Sequence, residues 1–476
     1  MSDADVDPGR PFLLVPDRGL TLSFGEFHAG ALDLAGRLEA LGIGRGDRVL
    51  ALLPNSPEYA LLFFACLYLG AAVVPVNLAL HARDRDFIVR NSGAKLLIHS
   101  GPPPADGLPC WELPRLPWEA RSWSPPRDPV PDDILSIVFT SGTTAFPKAV
   151  AHKAGSLMGN ARVFNKAMGI GPADRFLHLF PMAYSGGFFN LLISPYLAGA
   201  SVVLTPGFGP RSVLDFWRLP MANGVNTMWL SPTIAAALLM ADRHEAGRAW
   251  CRANVKRFFI GTAPLHAKVK RDFEAAYGAP LYESYGLSET LLVAALGPQD
   301  GPAAGSVGAP LEGVALDIRE GEVFIRTPHL MAGYLDYGTS AVSPRPAGEW
   351  FPSGDLGELA ADGRLSITGR KKDVILRAGL SLSPLAIENV LLKHEAVAQV
   401  AVVGVPSALA GEDVVAVVRP KPGADRAQAA IEDFCRASFA PSSRPSFVLL
   451  REEFPTGVTG KVLKDALRDW AVGQLA

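Results

Sequence analysis

Apolar residues recur at helical spacing through LSFGEFHAGALDLAGRLEALG (22–42), and the pattern stops at Gly42, so this segment predicts an amphipathic helix. GDRVLALLP (46–54) then reads as a strand after a turn. PEYALLFFACLYLG (57–70) reads as a helix with proline at its start and glycine at its end, and AAVVPVN (71–77) as the next strand. This alternation predicts an α/β fold with a mostly parallel sheet. A proline-rich stretch from 101 to 131 reads as a surface excursion, and ILSIVF (134–139) as a further buried strand. The alternation resumes with RFLHLFP, GGFFNLLISPYLAGA, SVVLTP, LDFWRLPMANG and VNTMWLSP. From about 300 to 370 the pattern changes to short strands and turns, as in ALDIREGEVFIRTP and GEWFPSGDLGELAADGRLSITGR, which predicts a small β-rich subdomain. The last hundred or so residues alternate again and predict a compact α+β module.

Composition narrows the class. The 476 residues exceed one ordinary domain, and 49% hydrophobic against 19% charged residues is the balance of a well-folded globular protein. A formal net charge of -2 argues against a general binder of nucleic acid or anionic membrane. Cys66, Cys110, Cys251 and Cys435 lie far apart with no CxxC pair, so neither a zinc nor a redox signature is present, and a reducing cytosol fits. The N-terminus, MSDADVDPGR, is acidic and polar and carries no signal-peptide pattern. The long apolar stretch YALLFFACLYLGAAVVPV is interrupted at Gly70 and Pro75. It reads as a buried helix running into a strand, not as a membrane span.

After Phe139 the apolar run ends in Thr140, Ser141, Gly142, Thr143 and Thr144, and a lone Lys148 follows Pro147. Hydroxyls, free backbone N–H groups, a glycine that lets the backbone curl and a mobile ammonium are what phosphate oxyanions require. The pattern is not a Walker loop, because no second glycine directly precedes the lysine. On these residues alone, a polar surface loop between two strands stands beside the phosphate loop as a reading.

Further motifs follow in a fixed order: YGLSE, SGDLG, GRKKD and TGK. With TSGTTxxPK they resemble the adenylate-forming superfamily of acyl-CoA synthetases, aryl-acid and amino-acid adenylation domains, and luciferases. The resemblance spans nearly the whole chain, from GIGRGDRVLALLPNSPEY to PTGVTGKVLK. It implies a large N-terminal ATP- and acid-binding domain over 1–371, built of two α/β subdomains and the β-rich one. A small mobile C-terminal domain over 372–476 would carry the catalytic lysine. It also implies a reaction in which a carboxylate attacks the α-phosphate of ATP, giving an acyl-adenylate and pyrophosphate, before a thiol takes the acyl group. Charge neutralisation is then the main catalytic task.

Carried onto this chain, the resemblance makes Thr140 to Thr144 and Lys148 the loop around the β- and γ-phosphates. Alanine replaces the family's usual glycine at Ala145, a cost of about 1–2 kcal/mol if that residue is left-handed. Ile260 to Leu265, with Gly261, Thr262 and Ala263, matches the adenine-side segment, and Gly261 and Thr262 also border the acyl pocket. Tyr285 and Gly286 would lie at the adenine, Thr290 at the α-phosphate, and Glu289 at Mg²⁺; the bland alternative is a helix cap in SET. Asp355 would accept from the ribose hydroxyls, with Arg370 as a second ribose or phosphate contact, although SGDLG also reads as a turn. Lys372 falls at the interdomain hinge. Lys461 would bridge carboxylate and α-phosphate, while its rival Lys464 reads as an ordinary surface lysine at a helix start.

Rotation of the C-terminal module would then bring Gly379 to a thiol tunnel. With no carrier domain in the chain, free CoA is the leading acceptor and a separate carrier protein the alternative. Only Arg377 stands as a basic residue in the Gly379 loop, and SSRP (442–445) replaces a commoner lysine-containing turn. The acyl pocket would be lined by Tyr184, at a position where many such enzymes have histidine, with Phe188, Phe189, Asn190, Trp229 and Ser231. No acidic residue stands near Tyr184 to hold an α-amine, which favours a hydrophobic or aromatic acid. The expected partners are thus ATP, Mg²⁺, CoA and a small carboxylic acid, with a cytoplasmic monomer or homodimer. A luciferase-like oxygenase shares every motif, and a non-catalytic nucleotide-binding relic would require losses at Lys461, Glu289 or Asp355.

Overall fold

The computed structural model describes residues 6–101, 108–116, 123–124, 128–140, 147–300, 305–346, 348–424, 427–457 and 461–475. The helix Phe24–Ala40 starts where its sequence promises. Ser23 accepts from the N–H of Glu26 and Glu26 reaches back to the N–H of Ser23, a reciprocal cap that satisfies two otherwise orphan donors. The helix Pro57–Leu69 is buried on every side, which explains its unbroken apolar sequence. At about 20 Å it is too short to span a bilayer, and no helix among the described residues is long and apolar enough to cross a membrane.

Two large sheets hold the N-terminal domain together among the described residues. In one, the strands Arg175–His178, Thr227–Leu230, Arg257–Ile260 and Leu281–Leu287 run parallel, flanked by Ser201–Leu204 and Pro11–Val15 on one side and Leu291–Ala295 on the other. In the other, Arg48–Leu52, Ala72–Pro75 and Ile134–Thr140 run parallel, and Lys148–Lys153 returns antiparallel to Ile134–Thr140. Buried residues from both sheets and the helices between them merge into one large apolar core. A four-stranded antiparallel sheet, Ala315–Arg319, Glu322–Arg326, Phe351–Leu359 and Leu365–Arg370, forms the expected β-rich subdomain.

The small C-terminal domain is built on the long hairpin Val397–Ser407 and Gly411–Pro420, joined by Phe447–Leu450 and covered by three helices. Its apolar residues form cores of their own.

Two sequence expectations need correction, and one alternative drops out. The proline-rich excursion contributes an edge strand, Cys110–Glu112, pairing parallel with Leu96–His99. SET starts no helix: residues 288–290 form a turn between two antiparallel strands. Lys464 does start a helix, but its ammonium bonds the buried Glu388 carboxylate at 2.7 Å and the Val402 carbonyl at 3.2 Å, so it ties that helix to the domain core.

Candidate active site

Ile134–Thr140 and Lys148–Lys153 pair antiparallel, with Thr140 opposite Lys148. Thr140 donates its hydroxyl to the Lys148 carbonyl at 3.3 Å. Ser141, Gly142, Thr143, Thr144 and Ala145 lie outside the described residues. Beside Lys148–Lys153 lies the strand Gly333–Leu335, with Tyr334 opposite Val150. That register brings the Lys148 ammonium within 5.3 Å of the Tyr334 ring centre, and the Tyr334 hydroxyl donates to Glu289 Oε1 at 2.9 Å. The lysine of the loop and the carboxylate of YGLSE are therefore linked through a tyrosine for which no local pattern gives a signal.

The YGLSE segment is held by backbone geometry. A Cβ on Gly286 would fall 2.1 Å from the Leu291 carbonyl oxygen, so only glycine permits this approach. Thr290 is fully buried; its hydroxyl accepts from the Leu287 N–H at 3.2 Å and fixes the turn. Asn160 pins the following strand by bonding both the N–H and the carbonyl of Leu292, at 3.1 and 2.8 Å.

Asp355 and Arg370 face each other across Phe351–Leu359 and Leu365–Arg370. The Asp355 carboxylate, 3% exposed, takes the Arg370 guanidinium at 2.9 Å on one oxygen and the Tyr285 hydroxyl at 2.8 Å on the other. Burial raises its pKa, while Arg370, the Tyr285 hydrogen bond and Lys461 pull the other way.

Lys461 lies in the C-terminal domain, where its carbonyl accepts from the Gly457 N–H at 2.8 Å. It remains exposed by area. Even so, the protein crowded around its ammonium, followed by the charge of Arg370, pushes its pKa down to about 8, against the opposing pull of Asp373 and Asp355. Residues from two domains thus converge on Asp355.

Lys372 is exposed in the short turn Lys371–Asp373 that links the two domains. Gly379 lies exposed at the tip of the hairpin Ile375–Arg377 and Leu380–Leu382. Both turn residues, Ala378 (φ 49) and Gly379 (φ 81), are left-handed, the conformation a two-residue hairpin turn demands. In this arrangement the space around Gly379 is open, and turn geometry accounts for the glycine. Beneath the hairpin, Arg377, Arg436 and Arg444 line a cavity of about 340 Å³. Arg436 and Arg444 are remote from the hairpin in sequence; Glu432 lines the same cavity, and Arg377 and Arg436 are paired with Asp413 and Asp433.

The expected acyl-pocket residues lie at the carboxyl edge of the first sheet, where open α/β sheets bind ligands. Tyr184 is half-buried, and Phe188, Phe189 and Asn190 sit in the π-helix Gly186–Ile193. Phe188 stacks on Phe63 with ring centres 4.7 Å apart and belongs to the core. Ser231 caps the helix Pro232–Ala241 through the Ile234 N–H. Gly261 and Ala263 lie just beyond Arg257–Ile260, and Thr262 between them is left-handed (φ 73).

For a divalent cation, no cluster of three or more His, Cys, Asp or Glu forms a protein cage among the described residues. Glu289, with one oxygen held by Tyr334, fits a site completed by substrate phosphates, the usual mode for Mg²⁺.

The family model of AMP-binding enzymes matches residues 2–335, and that of the AMP-binding enzyme C-terminal domain matches 386–461. The chain belongs to the AMP-binding enzyme family. Among proteins similar to this AMP-binding enzyme is the sulfoacetate–CoA ligase of Cupriavidus necator, 31% identical over 96% of this chain and 94% of the relative. Another is the long-chain-fatty-acid–CoA ligase FadD13 of Mycobacterium tuberculosis, 30% identical over 98% and 96%. ATP-bound MatB from Rhodopseudomonas palustris superposes with a TM-score of 0.85 at 26% identity, over 98% of this chain and 97% of that one.

Proposed function

We propose that this protein uses ATP to convert a carboxylic acid into its acyl-adenylate, releasing pyrophosphate, and then passes the acyl group to the thiol of CoA. The observation that carries this reading is the convergence of Asp355, Tyr285 and Arg370 with Lys461 of the other domain. Asp355 offers a buried acceptor for vicinal hydroxyls, held in place by Arg370 and Tyr285. Lys461 supplies positive charge where the attacking carboxylate and the α-phosphate meet. Lys148 and Thr140, with Ser141 to Thr144, hold the outer phosphates. Mg²⁺ neutralises phosphate charge, and Glu289, braced by Tyr334, is the residue that holds it. Thr290 keeps the YGLSE turn in place next to the α-phosphate.

The acid lies at the carboxyl edge of the first sheet, among Tyr184, Phe189, Asn190 and Trp229, and the scarcity of charge there favours a hydrophobic or aromatic scaffold. The domains divide at 371/372, and Lys372 is the hinge about which the C-terminal domain turns between half-reactions. Gly379 then lines the thiol path. CoA is favoured over a carrier protein by the cavity of Arg377, Arg436 and Arg444, whose guanidinium groups suit the phosphates of a nucleotide. Four cysteines without disulfides suit the cytoplasm.

The test is a panel of carboxylic acids with ATP and Mg²⁺, following AMP and pyrophosphate with and without CoA. AMP and pyrophosphate should form with the preferred acids, and CoA should raise turnover. ADP and phosphate as products would overturn this reading.

A further inference from the structure

Trp217 and Trp229 are both fully buried, and only one is satisfied. Trp217 donates its indole N–H to Asp242 at 3.1 Å. Trp229, 1% exposed, has no partner for its N–H among the described residues. A buried donor left unpaired costs about 1–3 kcal/mol, and native structures rarely leave one so without a reason.

The position of this donor supplies a reason. Trp229 lies near the end of Thr227–Leu230, at the carboxyl edge of the sheet. Its ring is wedged between Phe164 and Phe259, with centres 5.2 and 5.1 Å away. The indole nitrogen lies 3.8 Å from where a Cβ on Gly261 would stand, a position that the Ser284 hydroxyl approaches to 2.9 Å, so the donor borders the Gly261 segment beyond Arg257–Ile260. Near this edge, two further buried polar atoms lack partners among the described residues. The next position in register with Trp229 is His178, whose Nδ1 is unpaired while its Nε2 lies 3.1 Å from the Gly187 carbonyl. The Ser185 hydroxyl, just before the π-helix, is unpaired as well.

Resting on the acid-activating reading above, we propose that the Trp229 N–H is a specificity-determining donor. It selects carboxylic acids whose apolar or aromatic scaffold carries a second, neutral oxygen acceptor: a hydroxyl, ether or carbonyl. An acid of hydrocarbon alone leaves the donor unpaired. A second anionic group is disfavoured, because the buried lysine near this edge, Lys270, is already committed to Glu283 at 3.1 Å.

Matched pairs test this: benzoate against hydroxy- and methoxybenzoates, cinnamate against hydroxycinnamates, and octanoate against hydroxyoctanoates, by acid-dependent ATP–pyrophosphate exchange. Within the better pairs the oxygen-bearing acid should be favoured by at least about 10-fold in kcat/KM. In Trp229→Phe, which keeps an aromatic side chain and removes the donor, that ratio should fall toward 1. An unchanged ratio in Trp229→Phe, or a wild-type preference for the unsubstituted acids, overturns the proposal. The indole N–H resonance of Trp229, in wild type labelled with ¹⁵N at tryptophan, gives a reading independent of turnover and of the variant's folding. It should shift with the oxygen-bearing acid and not with its partner; equal shifts, or none, overturn the proposal. If no acid supports exchange, the acid-activating reading has failed, and the resonance still decides whether Trp229 meets an oxygen acceptor.

Discussion

Lys461 is the residue proposed to meet the developing negative charge, and its pKa is pushed down to about 8 in the free protein. A lysine with a lowered pKa loses its proton as pH rises through that value, and the neutral amine cannot stabilise the transition state. The adenylation kcat/KM, which reports the free enzyme, should therefore fall about tenfold per pH unit above pH 8. Lys461→Arg should be slower but should lose this alkaline limb, because guanidinium stays charged. Identical pH profiles for the two would contradict the assignment. Individual residues were unevenly legible in the sequence. Asp355, Glu289 and Lys461 stand in motifs whose chemistry is local. Tyr334 does not: only strand register carries its hydroxyl to Glu289. Arg436 and Arg444 escaped for the same reason, since a helix and a distant turn bring them beside Arg377.

Among elements, the antiparallel pair Leu281–Leu287 and Leu291–Ala295 does most to aim the site, carrying Tyr285 before its turn, Glu289 and Thr290 within it, and the Asn160 anchor after it. Its tightness depends on Gly286. Gly286→Ala forces backbone apart, since a Cβ would fall 2.1 Å from the Leu291 carbonyl oxygen. The expected loss is about 1–3 kcal/mol in chemical denaturation, with a larger relative loss of ATP binding, because Tyr285 and Glu289 move with the strand. Unchanged ATP affinity would show that the turn does not position the nucleotide site. Sequence patterning found both strand-like runs and the long buried helix. It left a helix cap open as the alternative for SET, and the antiparallel pairing on either side of that turn removes it.

Over the full chain, the α/β alternation, the β-rich insert and the terminal module were readable because each buries apolar residues at its own period. How the terminal module sits on the rest was not, since few polar contacts among the described residues set it. Ser383 donates to the Thr368 carbonyl at 2.7 Å, His266 meets Asn389 at 2.8 Å, and Arg419 approaches the Met240 sulfur at 3.9 Å. This set of polar contacts suits the proposed turn about Lys372, which would present Lys461 for one half-reaction and the Gly379 hairpin for the other. Separating those halves puts the proposal to its sharpest test. Wild type, Lys461→Ala and Gly379→Trp would each be given acid plus ATP, and separately a synthetic acyl-adenylate plus CoA. Lys461→Ala should lose roughly 10²–10³ in adenylation rate and keep thioester formation. Gly379→Trp should keep adenylation and lose thioester formation. If both variants lose the same half-reaction, one C-terminal domain does not serve the two steps in turn.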